Sequence, residues 1–196
     1  MYYIRNLKES KWSDKKKWSM YTFEDLHTTE CQLSVWATTK IEEKDLLDMA
    51  LAIAMTKDWL CDVWLCLIPT QILKCYKFRI KKSEGETKYK KFANRHVNII
   101  LPQMQDLQQL YSYFYRHWTI RKKGESTGKY IRWYSRTRLE QKFFNMVDNG
   151  EFDDLIKEII QKKDEKSYKN YYKKLKTNQR VQTIEADMNQ VNNINL

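Results

Sequence analysis

The stretch CQLSVWATTKIEEKDLLDMALAIAMTKDWLCDVWLCLI, Cys31 to Ile68, decides the fold class. Its first eight residues alternate, with Cys31, Leu33, Val35 and Ala37 on one side and Gln32, Ser34, Trp36 and Thr38 on the other. That is the period of a half-buried strand. Thr39-x-x-Glu42 then has the form of a capping box, and Glu43 and Asp45 suit the positive end of a helix dipole. From about Glu42 to Lys57 apolar residues cover nearly all of the second half of the helix, which marks it as the central buried one. Val63 to Ile68 is a short unbroken apolar run, as expected of an interior strand.

The same periods extend outward. Tyr2 to Leu7 is a candidate first strand. Ile72 to Lys81 alternates, with Ile72, Tyr76, Phe78 and Ile80 opposite Lys77, Arg79 and Lys81, although Lys74 breaks the apolar side. A turn at 83–87 and a strand from Arg95 to Leu101 complete a hairpin or meander. After Pro102 a helix carries Leu107, Leu110, Tyr111, Phe114 and Trp118. A second hairpin is expected from Trp118 to Lys123 and from Lys129 to Tyr134, around the turn 124–128. Thr137-x-x-Glu140 opens a helix that Asn149-Gly150 closes. Phe152, Leu155, Ile156, Ile159 and Ile160 line another, and Tyr168, Tyr171, Tyr172 and Leu175 form a last apolar stripe. The tail from Val181 is polar and Asn-rich, with no evident period. The expected architecture is α+β: a small mixed antiparallel sheet packed on helices, with a helical C-terminal extension. One domain spans 1–150, helices follow over 151–180, and the polar tail takes 181–196.

Composition agrees. Four Gly and two Pro in 196 residues are few for an all-β protein, and 42% apolar residues suffice for a core. The N-terminus lacks the apolar run of a signal peptide, and Leu46 to Ile68 is broken by Asp48, Lys57, Asp58 and Asp62. The expectation is a soluble, intracellular, cytoplasmic protein with no membrane contact. Cys31, Cys61, Cys66 and Cys75 lie in apolar stretches at wide spacing, which points to buried reduced thiols and to no metal site.

The net charge of +11 is concentrated in one segment. Residues 1–68 carry 9 basic and 11 acidic side chains, and residues 139–196 carry 10 of each. Between Pro69 and Arg138 there are 17 basic side chains against four acidic ones, a net of +13. Such clustering creates a local potential that attracts polyanions. Within it, Arg121, Lys122, Lys123, Lys129, Arg132, Arg136 and Arg138 are interleaved with Tyr130 and Tyr134. Cations neutralise phosphates and aromatic rings stack on unpaired bases. In the expected hairpin Tyr130, Arg132 and Tyr134 share the ligand-facing side, and Lys77, Arg79 and Lys81 form a second row that extends the surface.

Catalytic signals are weak. The turn 124–129 lacks the Ser or Thr of a phosphate loop, since Tyr130 stands there. Asp25, His27, Glu30 and Cys31 read as a polar loop before a strand. A metal-independent ribonuclease would need His96, His117, Arg121 and Tyr130 to meet in space. The leading expectation is therefore a non-catalytic protein that binds DNA or RNA, without cofactor, as an accessory subunit beside a protein partner. A second is an interaction subunit docking through its C-terminal helices, in a prokaryotic defence or mobile-element assembly, to which the Lys-, Asn- and Ile-rich composition of an AT-rich genome gives a hint. The ribonuclease is the third.

Overall fold

In the computed structural model, residues 1–12, 22, 25, 26, 29–119 and 130–194 are described. The strands are β1 (Tyr2–Leu7), β2 (Gln32–Thr38), β3 (Val63–Pro69), β4 (Arg79–Lys82), β5 (His96–Ile100) and β6 (Ile131–Tyr134). They form one six-stranded sheet in the order β4-β5-β2-β1-β3-β6, with every neighbouring pair antiparallel. The helices are α1 (Glu9–Trp12), α2 (Glu43–Ala54), α3 (Thr70–Cys75), α4 (Met104–Thr119), α5 (Arg136–Asp148), α6 (Asp153–Gln161), α7 (Lys166–Leu175) and α8 (Gln179–Ile194). The class is α+β.

Strand alternation assigns each side chain to one of two cores. Ile4, Trp36, Leu65, Leu67 and Tyr134 face a core shared with α2, α5, α6, α7 and α8. Tyr3, Leu33, Val35, Ile68, Ile99 and Ile131 face a second core closed by Trp12, Leu73 and α4. A sheet covered on both faces explains why Val63 to Ile68 is apolar without alternation. Helix α2 earns its central place, with every residue from Met49 to Ala54 buried.

Several local expectations are corrected. Glu42 occupies the N-cap of α2 and no side chain caps that helix, so the expected box of Thr39 and Glu42 does not form. Helix α5 is capped by Ser135, whose Oγ accepts from the Arg138 N–H at 3.3 Å, and not by Thr137. Gly150, at φ 75, does close α5: its N–H bonds the Val147 carbonyl and the next N–H bonds that of Met146.

The segment 72–81 is not one strand. Helix α3 takes its first part and ends at Lys77, which sits at φ 56. There the Lys77 N–H bonds the Lys74 carbonyl at 3.0 Å and the Phe78 N–H bonds that of Leu73 at 2.9 Å, a Schellman closure with lysine in the place glycine favours. Trp118 and Thr119 end helix α4 and so form no hairpin arm; β6 pairs with β3. Only Cys66 is buried, while Cys31, Cys61 and Cys75 are exposed.

The C-terminal stripe is core. Tyr168, Tyr171 and Leu175 are buried against α2 and α5, and the Tyr171 ring lies 4.7 Å from that of Trp59. Residues 179–194, expected to lack period, are helix α8. Val181, Ile184 and Met188 recur at three and four residues and anchor it to the same core. No helix among the described residues is long and apolar enough to cross a membrane.

Candidate nucleic-acid interface

The two basic rows expected to form one surface lie on opposite edges of the sheet. One belongs to β4 and the other to β6, five strand spacings or roughly 24 Å apart. Four of the expected site residues, Arg121, Lys122, Lys123 and Lys129, lie outside the described residues, as does His27.

At the β6 edge the side chains are mostly engaged. Tyr134, expected to face the ligand, is 1% exposed and packs with α2 and α5. Its hydroxyl donates to Glu43 at 3.3 Å, and burial together with that carboxylate pushes its ionisation far up. Arg138 pairs with Glu43 at 2.8 Å and lies over the Tyr134 ring. Arg136 pairs with Glu140 at 2.7 Å, and its N–H bonds Asp62 at 2.6 Å. Half-buried Arg132 donates to the Ile131 carbonyl. Tyr130 packs on His117, with ring centroids 4.6 Å apart. Ile131 is buried on the face opposite Tyr134, as the alternation predicts.

The β4 edge is different. Arg79, Ile80, Lys81 and Lys82 are all exposed, and Lys77 and Lys74 before them are exposed too. None of these cations forms an ion pair among the described residues. Among the described residues no strand lies beside the outer edge of β4. Lys82 is exposed as well, but it stands opposite Val97 and so projects to the other face of the sheet from Arg79 and Lys81. Lys88, in contrast, is buried at 8% exposure. Its ammonium donates to the Lys57 carbonyl at 2.9 Å and lies over the Tyr168 and Tyr171 rings, and burial lowers its pKa.

Register carries Lys81 and Arg79 onto a polar sheet face. Lys81 stands opposite Asn98 on β5, and Asn98 opposite Ser34 on β2. Arg79 is likewise aligned with Ile100 and Gln32. Directly opposed residues share a face. Asn98 donates to Gln32 at 2.9 Å and accepts from the Ser34 hydroxyl at 3.3 Å, which builds a polar ladder across the strands.

That ladder ends at a cleft of about 510 Å³. β1 pairs with β2 only from Tyr2 to Ile4, and Arg5 fills the wedge where the strands part. Arg5 donates from Nη1 to the Ser34 carbonyl at 3.0 Å and from Nη2 to the Asp25 carbonyl. Its Nε is buried without a hydrogen-bond partner among the described residues, as is Asp25 Oδ1. The other Asp25 oxygen accepts from Trp12 Nε1 at 2.8 Å and from the Lys8 N–H at 3.1 Å. Burial lowers the Arg5 pKa, and Asp25 opposes that shift. One wall is the loop at Ser83, Glu84 and Glu86. Gly85 permits its close approach, since a Cβ there would lie 2.7 Å from the Trp36 ring and 2.9 Å from His96 Cβ. His96 shares a hydrogen bond with Ser83 at 3.2 Å, and burial, then the Arg5 charge, lower its pKa.

Of the expected catalytic set, Tyr130 packs on His117, His96 lies apart from both, and Arg121 lies outside the described residues. His96 faces the cleft beside Trp36, whereas His117 packs on Tyr113 from α4, on the opposite face of the sheet. Among the described residues no group of three or more His, Cys, Asp or Glu side chains is placed to hold a metal ion. Asp25 is a buried structural acceptor, and Glu30 and Cys31 sit in a tight turn at positive φ. No protein-family model, no curated protein and no solved structure matches this chain.

Proposed function

We propose that this chain binds nucleic acid through the β4 edge and the polar sheet face beside it, as a non-catalytic component of a larger assembly. The supporting observation is the row of Lys77, Arg79, Lys81 and Lys82, four exposed cations with no carboxylate partner among the described residues. Cations already paired have little left to offer a phosphate, whereas free ones release counterions when they meet it. The docking role of the C-terminal stripe loses its motive, because Tyr168, Tyr171 and Leu175 are core residues.

The test is fluorescence anisotropy of labelled single- and double-stranded DNA and RNA with the pure chain. Four phosphate contacts give a slope of log K against log salt of about −3 on a single strand. Joint reversal of Lys77, Arg79, Lys81 and Lys82 to Glu weakens binding by roughly a hundredfold at low salt, while Arg136→Gln with Arg138→Gln leaves it nearly intact. Salt-independent binding, or equal effects of both sets, would refute the assignment to β4.

A further inference from the structure

Phosphates and bases make opposite demands on a surface. A phosphate seeks uncompensated cations, and the β4 row offers them. A base is neutral and presents hydrogen-bond donors beside acceptors, which suits a charge-balanced polar pocket. The cleft at Arg5 has that character. Arg5, Lys8 and Lys57 are matched on its walls by Asp25, Glu84 and Glu86. The C-terminal end of α2, at Ile53, adds partial negative charge, so the cleft is poorly suited to a phosphate. Its volume of about 510 Å³ lies in the range of small-ligand sites. Beneath its floor two sealed groups, Arg5 Nε and Asp25 Oδ1, have no hydrogen-bond partner among the described residues. The polar side chains that a ligand in the cleft would meet are those of Asn6, Ser34, His96 and Asn98, which offer donors beside acceptors.

The cleft is also connected to the cation row. Lys81, Asn98 and Ser34 stand in one register line, and Arg5 bonds the Ser34 carbonyl at the end of it. Three strand spacings, about 14 Å, separate β4 from β1 along that line. A single strand of a few nucleotides spans that distance.

Resting on the nucleic-acid reading above, we infer that the cleft between β1, β2 and the Ser83–Glu86 loop receives one unstacked base of a single strand whose phosphates lie along Arg79 and Lys81. Asn6, Ser34, His96 and Asn98 line the pocket that receives it, and Arg5 holds its floor through the Ser34 and Asp25 carbonyls.

The experiment compares an intact labelled single strand with one of the same length whose bases are replaced by abasic sites, using the full chain. Binding of the abasic strand falls at least tenfold, while its salt slope stays that of the intact one. Arg5→Lys erases the difference between the strands. Because Arg5 also bonds the frame, Thr56→Trp provides a second variant: it plugs the rim from an exposed position and leaves the Arg5 hydrogen bonds in place. Equal binding of intact and abasic strands, both lost on reversal of the β4 cations, overturns the cleft assignment and leaves the β4 reading standing. Absence of binding to either strand overturns the β4 reading and this one with it. A free nucleoside that saturates the cleft while the two strands bind alike would place a monomer there and also overturn the inference.

Discussion

The two edges of the sheet carry similar residues to different ends. At β6, Arg136 and Arg138 meet Glu140 and Glu43, and Tyr134 is sealed between α2 and α5. At β4, four cations project with no acid near enough to pair among the described residues. The contrast comes from what packs alongside. Helix α5 follows β6 directly and brings Glu140 within a turn of Arg136, while α2 brings Glu43 to the same edge. β4 lies at the far end of the sheet, with β5 as its single strand neighbour. A basic-aromatic cluster is therefore a binding surface only where the fold leaves its charges unanswered.

The largest test of this contrast is thermodynamic. Tyr134→Ala removes a fully buried ring and its bond to Glu43, and urea unfolding should show a loss of about 3–5 kcal/mol. Ile80→Ala on β4, where the side chain is 38% exposed, should cost less than about 1 kcal/mol. Equal losses would mean that β4 is covered as β6 is. Next in size is binding. Reversal of the four β4 cations should weaken nucleic-acid affinity by roughly a hundredfold at low salt. The Arg136→Gln, Arg138→Gln pair should change it by less than about threefold, since surface ion pairs contribute little. A reversed order of these effects would move the interface to β6.

A smaller effect tests the backbone at the foot of the β4 row. Lys77 holds φ 56 to close α3, so Lys77→Gly should raise stability by roughly 0.5–1 kcal/mol while removing one cation. Stability up and affinity down in one variant would separate the structural and electrostatic roles of that residue. The smallest concerns pH. The His96 pKa is lowered in the fold, so the unfolded chain binds the proton more readily as pH drops below about 6.5. Stability should thus decline from pH 7 toward 5, and less so in His96→Gln. An identical decline in both proteins would show that His96 is not the group responsible.

Much of the frame was legible before any coordinates. Leu33, Val35 and Ala37 alternate because one face of β2 is buried, and the apolar run in β3 reflects a strand covered on both sides. The misreadings share a cause. Over Ile72 to Lys81 the alternation put Lys74 on the apolar side and Leu73 with the lysines, whereas a short helix with a Schellman end turns Leu73 inward and Lys74 outward. Val181, Ile184 and Met188 carried a helical period that the surrounding Asn and Gln residues obscured. The exposure of Cys31, Cys61 and Cys75 was not readable, because an apolar neighbourhood in sequence says little about a position at a strand end or in a loop.

The sequence by itself determined the α+β class, the identity of α2 as the buried helix, and the confinement of net positive charge to residues 69–138. These depend on local period and on composition, which no tertiary contact alters. Tertiary structure alone decided which charges remain free, and that Arg5, Asp25 and His96 surround one cleft. Pairing of Arg138 with Glu43 and the meeting of Lys81, Asn98 and Ser34 join residues distant along the chain. Strand order is set by how the whole sheet buries its two faces, so the sign of a segment is local while its availability to a ligand is not.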